Sequence, residues 1–248
     1  MKDNFSNHAA AYAAFRPVYP VELYDFLFSL VPERSKAWDC GTGNGQVAGV
    51  LSDHFKQVEA TDISQKQLDY AIGKSNINYQ LAPAGQVNID PATVDLVTVA
   101  QALHWFDFDA FYKEIYRVAK PGSVIAAWCY SLLTVNEKVD QVIQHFYADT
   151  LGDQYWDSER RLVDDHYQTI PFPFEEISAP EFSIRVSWTF EHLVGYLNSW
   201  SAVQHYIRDN KENPVDLITQ ELRDGWGETD TLEVVFPLYL RVGKVKPF

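Results

Sequence analysis

Three glycines at alternate positions, Gly41, Gly43 and Gly45, follow the acid Asp39 and are followed in turn by a second acid, Asp62, 21 positions beyond Gly41. A backbone that leaves a strand, turns tightly and starts a helix needs residues without a Cβ. A ligand can then lie against the main chain and face the helix start. An acid at the tip of the next strand stands where a ribose offers two hydroxyls to a carboxylate. Asp62 could instead cap the following helix, but Ser64 suits that role better, with Gln67 three residues on as a capping box. The third chemically suggestive side chain is His104, whose imidazole could take a proton from an acceptor or orient one by hydrogen bonding.

These residues need elements to hold them, since a glycine cluster alone is often plain turn punctuation. Ser35 to Trp38 reads as a short buried strand before the loop, and Val47, Ala48, Val50 and Leu51 recur at helical spacing after it. Val58 to Thr61 then alternates as a second strand ending at Asp62. Pro20 opens an earlier helix with the apolar stripe Leu23, Phe26, Leu27 and Leu30. Leu68, Ala71 and Ile72 mark a third helix, and Ile77 to Leu81 a third strand. Val94 to Ala100 is a near-continuous apolar run, as expected of a central strand covered on both faces. Asp107 can cap a helix carrying Phe111, Ile115 and Val118 that stops at Lys120, Pro121 and Gly122; Ser123 to Cys129 follows as a strand. Alternation of this kind predicts a parallel sheet with right-handed crossovers.

Beyond residue 130 an amphipathic helix is expected near 136–149, a strand over Phe182 to Trp188, and a long last strand over Leu232 to Val242. Between those strands, 189–225 is helical in pattern and, with its flank, rich in aromatics: Phe190, Tyr196, Trp200, Tyr206 and Trp226. An insertion there sits at the carboxyl edge of the sheet, where ligands bind in open α/β folds, and is expected to form a lid. The same aromatics could simply pack the insertion on the core.

Nicotinamide and S-adenosylmethionine both use a strand, loop, helix and acid. A dehydrogenase fingerprint is G-x-G-x-x-G, and here the third glycine comes one residue early, with Gln46 at the matching position. Asp39 would also repel a diphosphate, whereas the ammonium and sulfonium of S-adenosylmethionine would tolerate it. The acid therefore argues for a cationic cofactor.

WDCGTGNG followed by ATDIS resembles the first two motifs of the class I S-adenosylmethionine-dependent methyltransferases. The similarity continues through LAPAGQ (81–86), VDLVTVAQALHWFD (94–107) and RVAKPGSVIAAW (117–128). YAAFRPVYP (12–20) and TFEHLVGYLNSWSAV (189–203) resemble the branch that includes trans-aconitate methyltransferase-like enzymes of small molecules. The resemblance implies a Rossmann-like α/β fold: a mostly parallel sheet of seven strands, the last antiparallel, with helices on both faces and a helical, aromatic cap near the C-terminus. It implies one domain over 1–248, divided into cofactor-covering helices (1–33), a cofactor-binding core (34–130), a half with substrate-cap insertions (131–230) and the final strand (231–248).

It further implies S-adenosyl-L-methionine as cofactor and S-adenosyl-L-homocysteine as product. Gly41 and Gly43 would approach the methionine part, Asp39 would organise its ammonium through water or backbone, and Asp62 would take the ribose. Ile63 would cover one adenine face, Pro83 and Ala84 would present backbone to its edge, and Gln101 would line the methionine tail. Tyr12 and Arg16 would fold over the cofactor, Arg16 pairing with its carboxylate. Relatives usually carry an acid where this chain has Gly85. His104 is the catalytic candidate; Trp105, Tyr130, Tyr196 and Trp200 are substrate candidates. Arg185, Arg208 and Arg241 could each ligand an acidic acceptor.

The reaction expected is metal-free O-methylation of a carboxylate or hydroxyl on a small molecule by in-line displacement. The Asn/Asp-Pro-Pro-aromatic tetrad of amino-methylating DNA enzymes is absent after Ala100, and Ala100 and Cys129 cannot supply the strand-end carboxylates that hold Mg²⁺ in catechol-type relatives. A silent S-adenosylmethionine-binding protein and a nicotinamide oxidoreductase remain as alternatives. A net charge of −14 opposes nucleic acid and anionic membranes as partners. No apolar run approaches the roughly 18 residues of a spanning helix, and the N-terminus lacks a signal-peptide core. With two cysteines and no metal-ligand spacing, the chain reads as a cytoplasmic monomer or homodimer with reduced thiols.

Overall fold

A computed structural model describes residues 15–246. The strands are β1 (Lys36–Cys40), β2 (Gln57–Asp62), β3 (Ile77–Leu81), β4 (Val94–Ala100), β5 (Ala119–Tyr130), β6 (Glu175–Glu176), β7 (Phe182–Thr189) and β8 (Thr231–Lys244). They form one sheet in the order β3-β2-β1-β4-β5-β8, with β6 and β7 both pairing β8. β1 to β5 are parallel, β8 is antiparallel to β5, and β6 and β7 are antiparallel to β8. This is the expected Rossmann-like sheet with one strand more than the seven foreseen. β7 covers β8 only from Thr231 to Leu238, and the two-residue β6 pairs farther along at Gly243 and Lys244.

Helices α1 (Val21–Ser29), α2 (Gln46–Leu51), α3 (Gln65–Asp69) and α4 (Phe108–Val118) belong to the first half. The second half carries α5 (Glu137–His145), α6 (Gly152–Tyr155), α7 (Arg160–Asp164), α8 (Phe190–Asn198), α9 (Ser201–Asn210) and α10 (Pro214–Trp226). Successive residues of the central strands point to opposite faces. Ala37, Leu96, Ala126 and Trp128 therefore join one core, with Leu23 and Leu27 of α1 and Leu193 and Leu222 of α8 and α10. Trp38, Val97, Ile125 and Ala127 join the other, with Phe111, Ile115 and Val118 of α4. Burial on both faces is why β4 reads as a near-continuous apolar run. Among the described residues no helix is long and apolar enough to cross a membrane.

Local chemistry sets the boundaries. Asp107 caps α4 by accepting from the Ala110 N–H, and Asn136 caps α5 through Lys138 and Val139. Lys120-Pro121-Gly122 does not separate helix from strand as expected. Gly122 takes φ +79°, and β5 starts at Ala119, paired to Val94 across an irregularity before register resumes at Leu96 and Val124. α3 ends at Asp69, short of Ala71 and Ile72, because the Ile72 N–H is drawn to the Asn44 carbonyl, 3.1 Å away. α5 stops at His145 and continues as a wider π turn over Phe146–Leu151.

Asp95 pins the base of β4 to its neighbours. Its Oδ2 accepts from the N–H groups of Ser35 and Lys36, both at 2.9 Å, and its Oδ1 meets Lys120 Nζ at 2.5 Å. Asp95→Ala strands two backbone donors and a lysine, so it should cost roughly 2–4 kcal/mol of unfolding free energy in denaturant titrations. A loss below about 1 kcal/mol would show that water replaces the carboxylate freely.

Candidate active site

β1 feeds the glycine loop at its carboxyl end. Gly41, Gly43 and Gly45 all have positive φ, +71°, +57° and +80°. A Cβ on Gly41 would lie 2.6 Å from the Ala102 Cβ, and one on Gly45 would lie 2.1 Å from the Tyr79 hydroxyl. Among the described residues a Cβ on Gly43 would meet only Gln67 Oε1, at 3.9 Å. The missing side chain thus leaves room for a ligand to rest on the main chain, as a nucleoside cofactor requires. Gly41 and Thr42 donate their N–H groups to the Thr61 carbonyl at 2.8 and 3.0 Å, tying the loop to β2.

The two acids do different work. Asp39 is 1% exposed and turned inward. Its Oδ2 accepts from the Thr42 hydroxyl (2.5 Å) and the Ala48 N–H (3.2 Å), and its Oδ1 from the Thr98 hydroxyl (2.8 Å). The protein itself meets this charge, so an acid at Asp39 does not by itself demand a cationic ligand. Asp62 is half-buried at the tip of β2, accepting from the Gly43 N–H on Oδ2 and the Ser64 N–H on Oδ1, both at 2.8 Å. Ser64 caps α3, accepting from the Gln67 N–H at 3.4 Å, while its own N–H goes to Asp62 rather than into a reciprocal capping box.

The other cofactor candidates gather along the same edge. Ile63 follows Asp62, and the Ala82 N–H donates to the Asp62 carbonyl at 2.9 Å, bringing exposed Pro83 and buried Ala84 beside it. A Cβ at Gly85 would meet the Ala110 Cβ at 2.6 Å, so α4 leaves no room there for an acidic side chain. Gln101 has φ +53°, unusual for a residue with a side chain. Its N–H donates to the Trp128 carbonyl at 2.9 Å, and its carboxamide exchanges two longer bonds with the Tyr130 backbone. Tyr12 lies outside the described residues.

A cavity of about 650 Å³, its open mouth included, begins at Gln101. His104 and Trp105 line it from the short 3₁₀ turn after β4, Ser131 and Leu132 from the end of β5, and Arg16 from the N-terminal segment. Trp156, Asp157, Arg160 and Val163 close it around α7, and Tyr196, Trp200 and Ser201 around α8 and α9. Trp105, Tyr196 and Trp200 therefore line one cavity. Tyr130 takes part through Arg16, whose Nη1 donates to its hydroxyl at 2.8 Å, while the guanidinium lies over the Tyr196 ring. The remaining aromatics of the insertion are packing: Phe190 sits edge-on to Trp226, and Tyr206 lies against Tyr155.

Arg185, Arg208 and Arg241 do not line the cavity. Arg185 pairs with Glu233, Arg208 with Asp209, and Arg241 with Glu176. Among the described residues the cationic side chains of the lining are Arg16 and Arg160, against one carboxylate, Asp157. Arg160 gives its Nε to the Tyr147 hydroxyl (3.0 Å) and Asp164 (3.2 Å), with its guanidinium over the Tyr147 and Trp156 rings. His104 is 9% exposed, and its Nδ1 lies 2.8 Å from the Tyr167 hydroxyl. Burial, aided by the charge of Arg160, pulls its pKa down to about 3, so the ring is neutral near pH 7. Sequence reasoning missed Arg160, Trp156 and Tyr167. α6 and α7 are four and five residues long, too short to leave a periodic signal, and the charged run Ser158 to Arg161 reads as ordinary surface.

A family model described as a methyltransferase domain matches residues 38–127, from β1 into β5. A Dictyostelium discoideum protein named as a methyltransferase is 33% identical over 249 residues, spanning 98% of this chain and 95% of its own. A Saccharomyces cerevisiae protein whose name makes it an S-adenosylmethionine-dependent methyltransferase is 23% identical, covering 89% of each chain. A solved structure from Anaeromyxobacter dehalogenans, described as a type II methyltransferase, superposes with a TM-score of 0.87 at 39% identity, over 94% of this chain and all of the other.

Burial, opposed by the bonds from Thr42, Thr98 and Ala48, pushes the Asp39 carboxyl up from 3.8 to about 6; the charge of Asp62 acts in the same direction as burial. The folded state holds this proton more tightly than the unfolded chain. The contribution of Asp39 is therefore fully present at low pH and is lost as pH rises through about 4 to 6. Measured against Asp39→Asn, the wild type should lose roughly 2–3 kcal/mol of unfolding free energy between pH 4 and pH 7. Urea unfolding at the two pH values checks this, and a difference that grows with pH would contradict it.

Proposed function

The chain belongs to the class I S-adenosylmethionine-dependent methyltransferases, and from that premise we propose that it esterifies a carboxylate on a small organic acid. One observation carries this: among the described residues the cavity beside Gln101 presents two guanidinium groups and a neutral imidazole against a single carboxylate, Asp157, hence a surplus of donors and of positive charge. Loop and strand tips supply the cofactor half. The main chain at Gly41 and Gly43 would receive the methionine part, Asp39 acting through the loop it braces. Asp62 would accept from the ribose hydroxyls, with Ile63 on one adenine face, Pro83 and Ala84 at its edge, and Gln101 beside the methionine tail. Tyr12 would close over the cofactor, and Arg16, assigned to the same role from sequence, is read here as facing the acceptor.

When bound, S-adenosylmethionine supplies an electrophilic methyl group on a sulfonium. The residues of the cavity hold an acceptor oxygen in line with it. The O–C bond forms as the S–C bond breaks, giving an ester and S-adenosyl-L-homocysteine with no proton moved. A carboxylate, with a pKa near 4, arrives ionised, whereas a phenol near 10 needs a base. An imidazole whose conjugate acid has a pKa of about 3 is a poor one. Alignment can supply roughly 7–11 kcal/mol in favourable cases. Trp105, Tyr196 and Trp200 would exclude water and fix the acceptor's orientation, with Arg16 and Arg160 on its negative charge.

Incubation with methyl-labelled S-adenosylmethionine and a panel of small carboxylic acids, phenols and amines tests the assignment. Label should enter base-labile esters, and transfer to phenols or amines with none to acids would overturn it. With an acid that turns over, Arg160→Gln should raise the acceptor KM roughly 10- to 100-fold, as expected for loss of a charged hydrogen bond, with cofactor affinity essentially unchanged.

A further inference from the structure

Tyr167 is fully buried, and its hydroxyl stands 2.8 Å from the Nδ1 of His104. It sits on an unusual backbone: His166 and Tyr167 have φ +55° and +61°. Two consecutive left-handed residues with side chains persist only where their surroundings over-determine them. Here the restraints can be named. Arg241 of β8 donates from Nη1 to the carbonyls of Tyr167 (3.0 Å) and Ile170 (2.5 Å), and its Nη2 is paired with Glu176 of β6 at 2.5 Å. The His166 ring stacks on Tyr239, centroids 3.5 Å apart, and the Tyr167 N–H goes to the Leu162 carbonyl at 2.8 Å.

We propose that Tyr167, held in place by Arg241 and Glu176, is a positioning residue that fixes His104 as its Nε2–H tautomer, so that His104 donates a hydrogen bond to the acceptor oxygen instead of removing a proton from it. Donor accounting gives the direction of the bond. Among the described residues the fully buried Tyr167 hydroxyl has one hydrogen-bond partner, Nδ1 of His104, so a bond donated by Nδ1 would leave the buried hydroxyl proton with no acceptor. Burial keeps that phenol protonated. A neutral imidazole whose Nδ1 accepts must carry its proton on Nε2, the nitrogen left to face the cavity. Around His104 stand Tyr167, the ring of Trp105 and the positive charge of Arg160, none of which takes a proton from Nε2. Donors from His104, Arg16 and Arg160 then converge on one space. What the donated bond does rests on the carboxylate reading above; the tautomer itself does not.

Two-bond ¹H–¹⁵N correlation spectra of the ¹⁵N-labelled full chain at neutral pH read the tautomer without any acceptor. His104 is identified among the seven histidines by the signals lost in His104→Gln. The expected result is a pyridine-type Nδ1 and a pyrrole-type Nε2. In Tyr167→Phe, which keeps the ring, both shifts should move toward tautomer-averaged values, and kcat should fall roughly 3- to 10-fold, the worth of one hydrogen bond, at unchanged cofactor affinity. A pyrrole-type Nδ1 in the wild type, or His104 shifts identical in Tyr167→Phe, would overturn the assignment. Should Tyr167→Phe fail to fold, the wild-type spectrum still decides the tautomer, and Arg241→Lys, which loosens the same turn, should move the His104 shifts in the same direction. If the spectra behave as expected while no acid is methylated, the carboxylate reading fails and the role of Tyr167 stands.

Discussion

The buried carboxylate of Asp39 is the interaction on which the cofactor half depends. It joins four pieces of chain: β1, which carries it; the loop, through Thr42; the start of α2, through Ala48; and β4, through Thr98. An ion taken out of water is tolerable only when it is well hydrogen-bonded, and here three donors meet it. The cost still shows in the carboxyl's raised affinity for its proton. What that cost gains is a loop whose shape is set before any ligand arrives. Asp62 adds a second brace by accepting from the Gly43 N–H. Both acids thus hold the backbone of the glycine loop, one from below and one from the side.

The acceptor half is built on a different principle. Its walls come from the N-terminal segment, the turn after β4, the end of β5 and helices α7 to α9, elements far apart in sequence that meet only because β8 closes the sheet against β5. Few hydrogen bonds hold its side chains to one another. Rings do instead: Trp200 touches Phe146, Tyr147, Trp156 and Tyr196, and the two guanidiniums lie over aromatic faces. Arginine stacked on aromatics keeps part of its fork for a ligand while its charge is partly compensated. Such a wall can hold cations in a half-dry cavity, one of them, Arg160, also paired with Asp164.

The sheet was readable because its signals are local and repeated: a short buried run in β1, alternation in β2 and β7, a near-continuous apolar run in β4, and capping residues such as Asp107 and Asn136 at helix starts. The glycine loop and Asp62 were readable because turn chemistry and spacing constrain them. Arg241 shows the limit. Residues alternate along β8, but sequence does not say what covers each face, and its guanidinium is spent on the carbonyls of Tyr167 and Ile170. Arg160 was hidden for the complementary reason, since a five-residue helix has no period to read. The charge argument drawn from Asp39 pointed to the right cofactor through a premise the structure does not support, because the protein's own donors neutralise the acid.

Backbone strain marks where the two halves meet. Gln101 at the end of β4 and the pair His166 and Tyr167 beyond α7 are three of the five non-glycine residues with positive φ among those described. The first lines the cavity and is held by the backbone of β5; the others deliver a hydroxyl to the histidine that lines it. Each such residue costs on the order of 1–3 kcal/mol, a cost sustained only where neighbouring bonds repay it. Here the bonds come from Trp128, Tyr130 and Arg241, all on β5 and β8, the antiparallel pair at the heart of the second half. The rigid pair therefore does more than close the sheet. By forcing the turns on either side of His104 into conformations they would not take alone, it sets which nitrogen of the imidazole the cavity sees. A site that works by direction rather than by proton transfer has to be built this way, because a donor a few tenths of an ångström out of line loses the alignment that is its whole contribution.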